Sequence, residues 1–410
     1  MRRVLSPSVI VPVIIVAAVA AMVVTANLRE GRRSRRPVTP LTALGAPGAP
    51  VSSREGLEQR IADIDARLAE RPDDVGAAVL LADALMRQSR VTGNGGLTLR
   101  AERALRQALK EDPGNYDVRR MQASLYLSQH RFAEALAVAE SLAEDRPEDT
   151  VNFGIIGDAR LEIGDYEQAF DAFDRMMQLR PGAAAYARVA YARELQGNLT
   201  GALESMRLAA GASEGGDREA IAWYRAQVGE LYLRLDRPSE AMQSFASASQ
   251  AFPGHPFAVA GYAKAIERLG RLDEARALLE DLVRKSPTPD LRALLGNFEA
   301  KAGHLDAAAR EWALAEAAWR SDAPEPKNLA RFLAERGEKV DEAVAIAEAA
   351  VAVRHDIFTQ DALAWAYFKA GRIADAKRTI GLARRTGTKD ADILRHARTI
   401  EAAPVQIAAR

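Results

Sequence analysis

Along most of the chain, apolar residues recur at helical spacing in pairs of short runs. In one stretch Phe153, Ile156, Gly157 and Leu161 form the first run, and Tyr166, Ala169, Phe170 and Phe173 the second. That spacing marks two amphipathic helices. Gly164-Asp165 parts the runs and Arg180-Pro181-Gly182 closes the unit. Proline resists helix continuation and biases the preceding residue away from the helical region. The unit then repeats. An alanine stands at Ala101, Ala135, Ala169, Ala202, Ala241, Ala275, Ala308, Ala343 and Ala376, in steps of 34, 34, 33, 39, 34, 33, 35 and 33 residues. A second series of small residues, Ala123, Gly157, Ala190, Gly229, Ala263, Gly296, Ala330 and Ala364, precedes these alanines by about a dozen positions. A fixed period of this length predicts a stacked array of helix pairs, not one globular core.

Two helices joined by a short turn approach closely only where a side chain is nearly absent, and a neighbouring aromatic or leucine fills the adjacent hole. A large residue at Gly157 would overpack the pair, costing roughly 1–3 kcal/mol. Pro113, Pro147, Pro181, Pro253 and Pro287 close their units at equivalent places. The run Asn152-Phe153-Gly154-Ile155-Ile156-Gly157, with Gly164-Asp165-Tyr166-Glu167-Gln168-Ala169, Phe173 and Pro181, resembles the tetratricopeptide repeat consensus. The resemblance covers about residues 74 to 388 and nine helix pairs. It implies an all-α, right-handed superhelical solenoid whose inner face is lined by the first helix of each pair. Val91 to Gly96 reads as an insertion within the first pair. Gly211 to Asp217, at the 39-residue step, reads as a second, a place for a bend or an extra contact. Ser53 is expected to cap a helix over Leu57, Ile61, Ile64 and Leu68. Asp390 is expected to start a closing helix through Ile393, Leu394 and Ala397, with Arg395, Arg398 and Glu401 turned outward. Polar-faced caps of this kind keep such arrays soluble. The expected organisation is an anchor or signal-like segment over 1–29, a linker over 30–53, the solenoid with its caps over 54–403, and a tail over 404–410.

The amino terminus breaks the pattern. Met1-Arg2-Arg3 precedes an apolar run, and residues 5–28 hold few polar side chains. About 20 helical residues span a ~30 Å hydrocarbon core. A retained transmembrane anchor is expected. A cleaved signal peptide ending at Val24-Thr25-Ala26 is the rival, although its apolar core normally runs only about 7–15 residues. Arg29, Arg32, Arg33, Arg35 and Arg36 follow the run. The positive-inside rule then places the repeats in the cytoplasm; an exported, periplasmic array is the alternative. Residues 31–53, rich in Pro, Gly, Ala, Ser and Arg, read as a flexible tether.

Charge divides along the same line. Residues 1–36 hold seven Arg and one Glu, so the remaining 49 basic and 55 acidic residues leave the repeats at net −6. A mildly acidic solenoid lacks the basic stripe that phosphate contacts need, so no nucleic-acid partner is expected. There is no cysteine, hence no disulfide and no thiolate chemistry. His130, His255, His304, His355 and His396 fall in different units without metal-ligand spacing, and read as turn or surface residues. Gly93, Gly95 and Gly96 follow no strand and precede no Lys-Ser or Lys-Thr, so they form a loop and not a phosphate cradle. Acid pairs such as Asp273-Glu274 and Asp341-Glu342 suit the positive ends of second helices. No catalytic residue, cofactor or metal is assigned.

The usual inward register of first helices directs Asp158, Tyr191, Trp223, Glu230, Phe257, Lys264, Arg268, Asn297, Arg331 and Trp365 toward the concave groove. Aromatics flanked by Lys, Arg and Asn suit recognition of an extended peptide or helix. Packing between neighbouring pairs is the competing role for each aromatic, with Trp223 and Trp365 the foremost groove candidates. The family's lysine–asparagine clamp for chaperone tails is not expected, because Gly154 and Asp158 occupy its places. The expected function is a membrane-tethered, non-catalytic scaffold that binds a protein or peptide. A secreted or periplasmic assembly factor for envelope components is the alternative, and an enzyme with an unrecognised site the remote one.

Overall fold

The computed structural model describes residues 51–321 and 325–404; the apolar run at 5–28 lies outside them. The described residues form twenty α-helices and no strand. Nine helix pairs stand between a first helix, α1 (Arg54–Glu70), and a last, α20 (Ala391–Ala402). The first four pairs are α2 (Val75–Thr92) with α3 (Gly96–Glu111), α4 (Tyr116–Ser128) with α5 (Phe132–Asp145), α6 (Thr150–Ile163) with α7 (Tyr166–Leu179), and α8 (Ala183–Leu195) with α9 (Leu199–Ala212). Next come α10 (Arg218–Arg234) with α11 (Pro238–Ala251), α12 (Pro256–Arg268) with α13 (Leu272–Lys285), and α14 (Pro289–Lys301) with α15 (Leu305–Ser321). The last are α16 (Pro326–Arg336) with α17 (Val340–Val351), and α18 (Ile357–Lys369) with α19 (Ile373–Ala383).

Local chemistry starts the helices where the pattern placed them. Ser53, Asp74, Asn115, Asp149, Asp217, Thr288, Asp356 and Asp390 sit at N-caps and accept hydrogen bonds from first-turn amides. Each such cap satisfies a donor that has no partner inside the helix. All nine alanines of the period are 0% exposed. At the helix-pair contacts, a Cβ on Gly157 would lie 2.2 Å from Phe173, and one on Gly296 2.6 Å from Trp312. These glycines are therefore contact points, each paired with one large ring.

The array curls back on itself. His355 N–H donates to the Ile163 carbonyl at 2.7 Å, and Ile357 N–H to the Tyr166 hydroxyl at 2.8 Å. Arg385 reaches the carbonyls of His355 (2.6 Å) and Gly164 (3.2 Å). These partners join the third pair to the ninth, so one turn of the array takes about six pairs. Gly164 shows why the approach is possible. It holds φ +107, and a Cβ there would lie 2.6 Å from the His355 backbone. Both the left-handed conformation and the backbone contact require glycine.

The two insertions serve the same closure. Val91 and Thr92 extend α2 to 18 residues, and Gly93, at φ 72, ends it beside Thr288. Ser286 Oγ donates to the Val91 carbonyl at 3.3 Å. Residues Gly211–Asp217 lead into the 17-residue α10, whose cap Asp217 faces Arg87 of α2 at 3.2 Å. The first insertion thus meets the turn before α14, and the second ends on α2.

Candidate functional site

Because the turns close, the inner face is mostly occupied by the chain's own side chains. Asp158 pairs with Arg188 at 3.0 and 2.7 Å, both buried. Burial raises the Asp158 pKa to about 6, against the opposing pull of Arg188. The Arg188 guanidinium fills the space that Gly154 leaves open, since a Cβ there would meet its Cζ at 2.9 Å. Glu230 and Lys264 form a second buried ion pair; burial lowers the Lys264 pKa although Glu230 opposes it. Asn297 Oδ1 accepts from Trp312 Nε1 at 3.1 Å. Arg331 lies 3.7 Å from Asp392, and Tyr191 is buried in the core. Arg268 is exposed and donates to the Leu233 carbonyl at 2.7 Å.

The two foremost groove tryptophans are not exposed. Trp365 is 3% exposed and stacks between His396 (centroids 4.1 Å) and Phe368 (5.0 Å) in the carboxy-terminal core. Trp223 is 1% exposed. Both rings lie on first helices, and for Trp365 the closing helix, through His396, covers the face that the register turns inward. The histidines also depart from expectation. His255 and His396 are buried, because each supplies a partner to carboxylates that the fold has enclosed. Arg395, expected outward, pairs with Glu335 and lies over the Trp365 ring.

What remains open is a cavity of about 220 Å³ on the axis, between α2, α4, α10, α12 and α14. Of the ten groove candidates, Trp223 and Phe257 line it. Met86, Ala260 and Leu291 add apolar wall. The polar lining was not foreseen. Arg90 of α2 binds Glu219 of α10 through two bonds, 3.2 and 2.8 Å. His255 Nε2 stands 3.6 Å from the same carboxylate. Burial alone would raise the Glu219 pKa, but Arg90 and His255 hold it well below the usual range. His130, in the turn after α4 with φ 59, lies 2.6 Å from Glu325. Asp290, in the first turn of α14, has no ion-pair partner among the described residues; its Oδ1 is buried and accepts no hydrogen bond from them. The only sequence signal for these residues was the pair of insertions that bring α2 and α10 together.

Below the cavity, the axis is filled by charge. Arg354 binds Glu325 Oε1 at 2.6 Å, the Glu162 carbonyl at 3.0 Å and the Glu162 carboxylate, and lies 3.4 Å from Asp356. Lys327 adds Glu325 at 3.0 Å and Asp356 at 3.7 Å. Burial alone would raise the Glu325 pKa, but Lys327, His130 and Arg354 hold it well below normal. Burial raises that of Glu162 despite Arg354 and Lys327. Among the described residues, no group of three or more His, Asp or Glu side chains is placed to hold a metal ion.

A second network closes the carboxy-terminal end. His396, 0% exposed, meets Asp361 through Nδ1 and Glu335 through Nε2, each at 2.9 Å. Burial would lower its pKa; Asp361, then Glu335, outweigh it and push the value up to about 9 from 6.5. The folded state therefore favours the imidazolium. This stabilisation, about 3 kcal/mol at about 1.4 kcal/mol per unit, is complete below pH 6.5 and is lost as pH rises through 9. Burial would raise the Glu335 pKa, but His396 and Arg395 together hold it down to about 2, so the His396 contact is not counted a second time there. Titrating the imidazole Cε1–H resonance should give a midpoint near 9; a midpoint below 7 would refute the assignment.

Profiles of the tetratricopeptide repeat match residues 96–151 and 232–298, and a second profile of the same repeat matches 156–217. Comparison with curated protein sequences finds no match. Among solved structures, the chain is similar to one in the APC/C hetero-tetramer Cut9–Hcn1, with TM-score 0.51 and 14% identity over 84% of this chain and 59% of that one. It thus spans about three-fifths of that relative's length. It is also similar to human IFIT1, crystallised as a dimer with m7Gppp-AAAA, with TM-score 0.51 and 13% identity over 80% of this chain and 77% of that one. Yeast Tom70 gives TM-score 0.45 at 15% identity, covering 85% of each chain. At these identities the likeness is one of fold.

Proposed function

We propose that this all-helical array of tetratricopeptide repeats is a non-catalytic scaffold that engages a protein partner at the mouth of its axial cavity. In this proposal residues 5–28 tether it to a membrane, with the repeats on the cytoplasmic side. The observation that carries the reading is the cavity itself. Much of the rest of the inner face is spent on internal ion pairs, whereas this space keeps apolar walls and a carboxylate oxygen, Asp290 Oδ1, buried without a hydrogen bond among the described residues. Among the described residues no helix is long and apolar enough to cross a membrane. The tether therefore rests on the apolar run and its flanking arginines alone.

The test is site-specific photo-crosslinking in the source cells. A benzophenone side chain at Ser89 or Thr98, both on the cavity wall, is expected to capture the same partner. One at Leu208, exposed on α9, is expected to capture none. Capture from Leu208 alone would overturn the site. For the tether, the intact mass of membrane-extracted protein should correspond to a chain that retains residues 5–28; a chain starting at Asn27 would overturn it.

A further inference from the structure

The charges around the cavity point to the chemistry of what enters it. Arg90 on its wall is committed to Glu219 and His130 to Glu325, and His255 Nε2 stands beside Glu219. Of the two lining carboxylates, Glu219 is paired and Asp290 is not. Asp290 forms no ion pair among the described residues, and one of its carboxylate oxygens is buried without a hydrogen bond from them. A buried, unpaired carboxylate is costly, and a cation that pairs with it removes the cost. Met86, Phe257, Ala260 and Leu291 provide a sleeve suited to a methylene stem.

We propose that the cavity is a socket for a lysine side chain of the protein partner, its ammonium paired with Asp290 and its stem against the apolar wall. The assignment rests on the scaffold reading above and deepens it. Lysine fits better than arginine. A compact ammonium needs few acceptors, whereas a guanidinium presents five donors that one carboxylate and an apolar wall leave unmet. The titration of Asp290 agrees: burial raises its pKa to about 7, Glu325 adds to this, and Arg331 and His130 oppose it without neutralising it.

The experiment titrates the full chain with Nα-acetyl-lysine N-methylamide by calorimetry. Nα-acetyl-norleucine N-methylamide serves as the uncharged isostere, and n-hexylamine as the free amine. The capped lysine is expected to bind at least about tenfold more tightly than the norleucine compound, the usual worth of a charged hydrogen bond. Asp290→Asn should remove that preference without lowering the unfolding temperature. If that variant does not fold, Ala260→Leu, which fills the socket from its apolar wall, should abolish binding instead. Equal binding of capped lysine and norleucine, or full binding by folded Asp290→Asn, would overturn the proposal. Tighter binding of hexylamine than of capped lysine would overturn the partner lysine in favour of a free amine. A protein that captures its partner from Ser89 and Thr98 yet shows no lysine preference loses the socket alone. One that binds capped lysine but crosslinks only from Leu208 loses the scaffold site.

Discussion

Replacing Arg354 by alanine should destabilise the array by about 3–5 kcal/mol, the range for removing one member of a buried ion network. The reason is geometric. One guanidinium serves Glu162 of the third pair, Glu325 before the eighth and Asp356 before the ninth. It also lies over the Phe132 ring, 4.7 Å from its centroid. Its removal leaves three buried carboxylates with Lys327 as their main cation. Because the contact joins consecutive turns, the variant should also expand, which small-angle scattering would detect as a larger radius of gyration. Arg320→Ala is the control. That arginine pairs with Glu316 and Glu342 on the surface, and exposed pairs contribute roughly 0–1 kcal/mol. Equal effects of the two substitutions in urea unfolding would show that the axial network carries no special load.

The second large effect is expected at Gly261. The Phe245 ring of α11 is fully buried and wedged between Gly229 of α10 and Gly261 of α12. A Cβ on Gly261 would lie 2.1 Å from the ring, and one on Gly229 2.8 Å. Glycine to alanine inside a helix ordinarily gains about 1 kcal/mol of propensity. Here the ring must shift to admit even a methyl group, with Gly229 blocking the other side. Gly261→Leu should therefore cost about 3 kcal/mol, the upper part of the overpacking range. Gly381 of α19 provides the contrast. A Cβ there meets nothing within 4 Å, so Gly381→Ala should stabilise by roughly 0.5–1 kcal/mol. Thermal unfolding of both variants checks the pair. A neutral Gly261→Leu would mean that α11 and α12 do not pack through Phe245.

The helix pairs were legible in the sequence because each rests on contacts within some 35 residues. Ala169, Gly157 and Phe173 belong to one unit, and their spacing carries the whole geometry of that unit. The inner face was legible only in register. Trp223, Glu230 and Lys264 do lie on first helices. Whether they meet solvent depends on how tightly successive pairs rotate, a small angle summed over six units that no single repeat encodes. Trp365 and His396, 31 residues apart, were read as a groove aromatic and a surface residue, whereas they stack in the core because the closing helix lies over the last pair's first helix. Arg354 and Glu162 are 192 residues apart and belong to no motif. The two insertions were visible, but not that one meets the turn before α14 and the other ends on α2. Asp290 had been read neither as a ligand nor as a binding group, since an acid in the first turn of a helix is ordinary.

Hydrogen exchange at two backbone amides tests the closure of the array most directly. The N–H of His355 lies outside any helix, and that of Ile357 opens α18 with no partner inside the helix. Their acceptors are Ile163 and Tyr166, six pairs earlier. Both amides should be protected in the wild-type protein and should lose that protection in Arg354→Ala. Exchange of both at unprotected rates in the wild type would show that the turns do not touch, and the axial cavity would then be an open groove.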